Sequence, residues 1–145
     1  MPAGIIAVAA YHAGLELKEI LKRQLADWGF EVLDLGTDSM ASVDYPDFGR
    51  RMAVAIAGGK AGRGLIVCGT GIGISIAANR DPAVRAALCH DVTTARLARA
   101  HNDANVLALG ARIVGTEVAR EALRAFLDTE FEGGRHQGRV AKLGA

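Results

Sequence analysis

The chain has 145 residues, half of them hydrophobic, and 17 Lys/Arg against 16 Asp/Glu leave a formal charge of +1. That length suits a single domain able to bury most of the surface its unfolded chain exposes. Near-neutral charge argues against nucleic-acid and membrane-surface partners, so any basic site has to be local. No apolar run approaches the ~18 residues of a spanning helix, and the N-terminus shows neither the basic segment nor the cleavage site of a secretory signal. Cys68 and Cys89 therefore read as free thiols rather than a disulfide. The expectation is a soluble, cytoplasmic domain.

The first strand, Ile5–Ala9, runs into Tyr11-His12-Ala13-Gly14 and then a helix. On that helix Leu17, Ile20, Leu21, Leu25 and Trp28 recur at helical spacing before Gly29 stops it. A second strand covers Glu31–Leu35. The next helix runs from about Tyr45 to Ile56, opened by "DYPDFG" with Pro46 in its first turn and closed by Gly58-Gly59. A third strand, Gly64–Cys68, leads into "GTGIGISIAANR", within which a helix starts. Strands at Val84–Cys89 and Val106–Leu109 precede helices over "DVTTARLARAHN" and "TEVAREALRAFLD" respectively, the first after Cys89 and the second after "GARIVG". The last stretch, "FEGGRHQGRVAKLGA" (residues 131–145), is polar and glycine-punctuated and reads as a tail that either frays or docks on a partner chain.

Strands that are nearly continuous in apolar residues, alternating with helices, predict an α/β domain. The layers are α/β/α around a five-stranded parallel sheet, Rossmann-like in type. Ligands of such sheets bind beyond the carboxyl ends of the strands. That rule selects Tyr11-His12, Gly36-Thr37, Cys68 to Gly73, Cys89-His90-Asp91 and Gly110-Ala111-Arg112.

The strongest local signal is "LIVCGTGIGISIAANR". Gly69, Thr70, Gly71 and Gly73 turn the chain from strand into helix, letting backbone approach a ligand and offering N–H groups to negative charge. Cys68 alone reads equally well as a buried small hydrophobe, but a helix start beside it would lower a thiol pKa from its ordinary ~8.5. Cys89 has no such loop and reads as core. A dinucleotide fingerprint fits poorly, because Ile74 stands where the last glycine belongs and the motif follows the third strand. His101 and Asn102 close a helix, where histidine more often satisfies carbonyls than catalyses. Arg112 follows a strand end. Arg135 and Arg139 share one face if helical and suit a phosphate clamp. The four histidines fall at no recognised ligand spacing, so neither metal nor cofactor is expected.

Taken together, "HAG", "DYPDF", "CGTGIGISIAANR", "ARAHNDANVLALGAR" and "EGGRHQGRV" resemble the ribose-5-phosphate isomerase type B family, with its galactose-6-phosphate and allose-6-phosphate isomerase relatives. The resemblance spans nearly the whole chain. It implies metal-independent aldose-ketose isomerisation of a phosphorylated sugar, ribose 5-phosphate and ribulose 5-phosphate first, through a cis-enediolate. The family's thiol base falls on Cys68, its anion hole on Gly69, Thr70, Gly71, Ile72 and Gly73, and its ring-opening histidine on His101. Further substrate contacts fall on His12, Tyr45, Asn102, Arg112, Arg135 and Arg139. The family also implies dimers, or dimers of dimers, whose shared sites would draw "NDAN", Arg112 and the tail arginines of one chain to Cys68 of another. One position departs: the first strand of the family ends in an Asp-His pair, and here Tyr11 precedes His12. The competing expectation is a non-enzymatic or redox module, a doubly wound domain holding a flavin or nucleotide at "CGTGIG".

Overall fold

Alternate residues of the central strands face opposite ways, and both faces are apolar, so the sheet needs helices on both sides. The computed structural model describes residues 4–37 and 44–144. Along the chain it runs β1 (Ile5–Ala10), α1 (Leu15–Asp27), β2 (Glu31–Asp34), α2 (Tyr45–Ala57), β3 (Arg63–Cys68) and α3 (Ile72–Ala78). It continues through β4 (Ala86–Leu88), α4 (Val92–Asn102), β5 (Val106–Gly110), α5 (Thr116–Asp128) and α6 (Gln137–Leu143). The five strands are parallel in the order β2-β1-β3-β5-β4.

On one face Ile6, Val8, Leu65, Val67, Leu107 and Leu109 pack against Leu21 and Leu25 of α1, Ala95 of α4 and Leu123 and Phe126 of α5. On the other, Ala7, Ala9, Ile66 and Ala108 meet Phe48 and Met52 of α2 and Ile74 and Ala78 of α3. Each fully buried Leu, Ile or Phe contributes about 1.5–3 kcal/mol, so these two layers hold the fold. Complete burial holds for most of β1, β3 and β5, whereas the edge strands β2 and β4 are only partly covered. The fourth strand is shorter than expected at both ends. Val84 donates its N–H to Asp81 in a turn, and the Arg85 N–H goes to the Asn105 side chain rather than to a ladder.

Two features of the first β-α unit escape a reading of residue types. A Cβ on Gly14 would sit 2.7 Å from the Val67 carbonyl, so the turn after β1 needs glycine to pack on β3. Lys18, on α1, is fully buried. Its ammonium donates to Asp34 Oδ1 (2.8 Å) and to the Thr37 carbonyl (2.6 Å), holding the chain as it leaves β2.

The C-terminal stretch, read as a polar tail, takes up local structure. Gly133 and Gly134 adopt positive φ and turn the chain into a short 3₁₀ segment, Gly134–His136, that continues as α6. The Glu132 N–H donates to the Ala100 carbonyl, tying this stretch to the end of α4. Among the described residues, no helix is long and apolar enough to cross a membrane.

Candidate active site

β1 and β3 are neighbours whose connections leave in opposite directions along the sheet, which opens a crevice at their carboxyl ends. Cys68, the last residue of β3, pairs with Gly110, the last of β5. The turn beyond it is built on glycine for steric reasons. Gly71 has φ +81°, and a Cβ there would come within 2.6 Å of Leu88 and 2.9 Å of the Leu109 backbone. That conformation lets the Gly71 N–H donate to Cys68 Sγ at 3.0 Å. The Ile72 N–H donates to Thr70 Oγ1 at 3.2 Å, fixing the hydroxyl over the start of α3. Across the turn the Arg112 N–H donates to the Gly69 carbonyl (2.9 Å). Its guanidinium lies on Gly69, where a Cβ would be 3.3 Å from Cζ.

Tyr45, the first residue of α2, covers Gly73 so closely that a Cβ there would collide with the ring. Tyr11 donates its N–H to the Val67 carbonyl (3.0 Å), and its ring meets Tyr45 edge-on at 6.0 Å. The His12 ring lies 3.9 Å from the Tyr11 ring. Tyr11, Tyr45, Cys68, Gly69, Thr70, Ile72, Gly73 and Arg112 line one open cleft of ≈ 480 Å³, together with Ile76. That volume suits a small metabolite. Ile76, 54% exposed and one turn after Ile72 on α3, was not singled out by sequence, because an apolar residue on a short helix looks like core.

The remaining expected residues lie elsewhere. His101 stacks on His136 with ring centroids 4.4 Å apart, and Glu132 Oε1 lies 3.9 Å from His101 Nε2 and 3.7 Å from His136 Nε2. Buried Arg99 braces this corner by donating to Asp103 Oδ1 (2.8 Å) and to the carbonyls of Ala104 (2.7 Å) and Thr129 (3.1 Å). Burial, His101 and Arg135 hold the His136 imidazole below its ordinary pKa, with Glu132 opposing and Arg139 adding to the effect. Asn102 is exposed and borders a different groove with Asn79, Arg85 and Leu143. Arg135 and Arg139 are exposed on the 3₁₀ segment and α6. The expected residues thus fall in two separate groups within the chain. Arg112, expected to act with the tail arginines, lies over Gly69 and lines the cleft with Cys68 of its own chain.

Two other strand ends selected by sequence are structural. Thr37 is buried and donates its N–H to the Ala10 carbonyl, while the Ala10 N–H donates to the Gly36 carbonyl. Asp91 caps α4 by accepting from the Thr94 N–H at 2.7 Å. Burial pushes the Cys89 thiol above its ordinary pKa, as suits a core residue. Sequence reasoning missed Lys18, Arg99, Glu132 and His136. Only the Glu132–His136 spacing of four could have drawn notice, and it lies in a stretch read as tail.

The family model for ribose/galactose isomerases matches residues 6–143. The chain is 46% identical over 140 residues to ribose-5-phosphate isomerase B of Escherichia coli K12, covering 97% of this chain and 94% of that protein. It is 44% identical over 140 residues to D-erythrulose-4-phosphate isomerase of Pectobacterium atrosepticum, covering 96% and 92%. Ribose-5-phosphate isomerase B of Clostridium thermocellum superposes with a TM-score of 0.95 at 48% identity, covering 97% of this chain and 95% of that one. An isomerase family displaces the binding-module alternative. Matched along nearly its full length in sequence and fold, the chain belongs to the ribose/galactose isomerase family.

Proposed function

We propose that the chain, an isomerase by family, interconverts ribose 5-phosphate and ribulose 5-phosphate by proton transfer. The observation that carries this reading is the convergence of Cys68, Thr70 and Arg112 on one cleft at the sheet's switch point, with the Gly71 N–H donated to the thiol. Cys68 as thiolate takes the proton from C2 of the open-chain aldose. The resulting cis-enediolate is held by the Thr70 hydroxyl and amides of the Gly69–Gly73 turn, such donors being worth about 3–4 kcal/mol each. The proton returns to C1 as the C2 hydroxyl becomes a carbonyl, so the reaction balances with no redox partner. Arg112 meets the substrate's anionic end, a contact suited to its planar guanidinium.

His101 and Asn102, with Arg135 and Arg139, complete the site from a second copy of the chain in a homodimer, where His101 assists ring opening. Support comes from their position away from the Cys68 cleft and from the exposure of both tail arginines. His12 abuts Tyr11 at the entrance and adds a sugar or phosphate contact. Two free thiols suit the reducing cytoplasm.

A second reading concerns chain length. The Tyr11 ring occupies cleft wall where the family resemblance expects a carboxylate, and a bulkier wall favours a shorter sugar phosphate. Purified protein should be assayed with four-, five- and six-carbon aldose phosphates beside Cys68→Ala. Loss of turnover in Cys68→Ala, with sugar-phosphate binding retained, is the expected result. Undiminished turnover would remove the thiol from the mechanism.

A further inference from the structure

Sequence spacing gave no reason to expect a metal, yet the fold brings together three ligand types suited to one. His101, Glu132 and His136 each present a ligand atom within 4.8 Å of the others. His136 is more than nine-tenths buried, and its Nε2 is shielded from solvent with no hydrogen-bond partner among the described residues. A buried imidazole nitrogen left unpaired is costly, and an ion bound there would satisfy it. We propose that His101, Glu132 and His136 form a binding site for a zinc-class divalent ion, and that its occupation reversibly stops the enzyme by engaging His101.

Two histidines and one glutamate are a recognised zinc donor set that leaves a fourth position to water. Bonds of ~2.1 Å in a tetrahedral centre set ligand atoms about 3.4 Å apart. The two His–Glu separations, 3.9 and 3.7 Å, exceed that by half an ångström or less. The near-parallel stack, 17° between planes, has to open so that the ion lies in both ring planes. The His101 side chain, 37% exposed, is the one placed to turn. Arg135 and Arg139, which act on His136, oppose a divalent charge and hold the affinity down. The ion-binding site stands on these contacts alone; the inhibition rests on the reading of His101 as the ring-opening residue.

The test titrates metal-free protein with Co²⁺ and Zn²⁺, following the visible d–d bands of bound Co²⁺ together with isomerase activity. Nitrogen and oxygen ligation should give those bands without a thiolate charge-transfer band, and Cys68→Ala should bind Co²⁺ as the parent does. Glu132→Gln and His136→Gln, each shown to be folded by circular dichroism, should weaken metal binding at least tenfold. Measured against its own metal-free rate, Glu132→Gln should need at least tenfold more Zn²⁺ than the parent for half-inhibition, and a chelator should restore the parent. Absence of binding, a thiolate band, or unchanged affinity in both variants would overturn the site. Binding without inhibition would overturn the brake, while activity of the metal-free protein on ribose 5-phosphate separately decides the isomerase reading.

Discussion

Cys68 and His101 stand at opposite ends of the same sheet. Cys68 closes β3 at its carboxyl end, beside Gly110 of β5. His101 lies in the last turn of α4, which returns the chain to the start of β5, where Asn105 accepts the Gly64 N–H at the beginning of β3. The length of β5 alone separates the two levels by roughly 13 Å. A thiol and an imidazole so placed serve one sugar only if they come from different chains.

Subunit mixing follows directly. Chains carrying Cys68→Ala and chains carrying His101→Ala should each be inactive as homodimers. After exchange, half of the dimers carry one chain of each kind and hold one intact site of two, so about a quarter of parental activity should return. No recovery after exchange verified by mass spectrometry would require both residues to act within one chain.

Tyr11→Asp should raise kcat/KM on ribose 5-phosphate at least tenfold, since a hydrogen bond to a charged group is worth about 1.5–3 kcal/mol. The substitution also removes the ring that meets Tyr45 at the cleft. If Tyr11 selects a shorter sugar, a four-carbon substrate will be the best for the parent and the worst affected by Asp. Identical rates across the whole panel would show that the side chain does not touch substrate.

Arg112→Lys keeps the charge but loses the planar fork that lies over Gly69. KM for the sugar phosphate should rise about tenfold with kcat changed less, the pattern of lost uniform binding. A fall in kcat at constant KM would instead place Arg112 on the reacting carbons.

Asp34 ties stability to pH. Desolvation raises its carboxyl pKa, but hydrogen bonds from Lys18, Lys22 and the Gly36 N–H outweigh this and hold it below the ordinary carboxylate value. With the folded pKa below the unfolded one, its contribution is complete above the unfolded value of ~3.9 and drains as pH falls through the folded value. Asp34→Asn should therefore cost about 1–3 kcal/mol in urea unfolding at neutral pH, and the gap to parent should close in strong acid. A gap that persists at low pH would assign the loss to packing rather than charge.

The parallel α/β architecture was legible because short continuous apolar runs in strands and period-3.6 burial on helices are local properties of residue order. So was the Cys68–Gly73 turn, since left-handed φ at Gly71 and close backbone approach demand glycine whatever surrounds them. Tertiary structure decided what distance in space controls: Arg112 folding over Gly69, Tyr45 over Gly73, and Lys18 sinking beneath the Thr37 carbonyl. It also gathered His101, Glu132 and His136 from 35 positions of chain. No periodicity encodes such meetings, because they depend on which helix ends share a level of the sheet, and the strand order sets that.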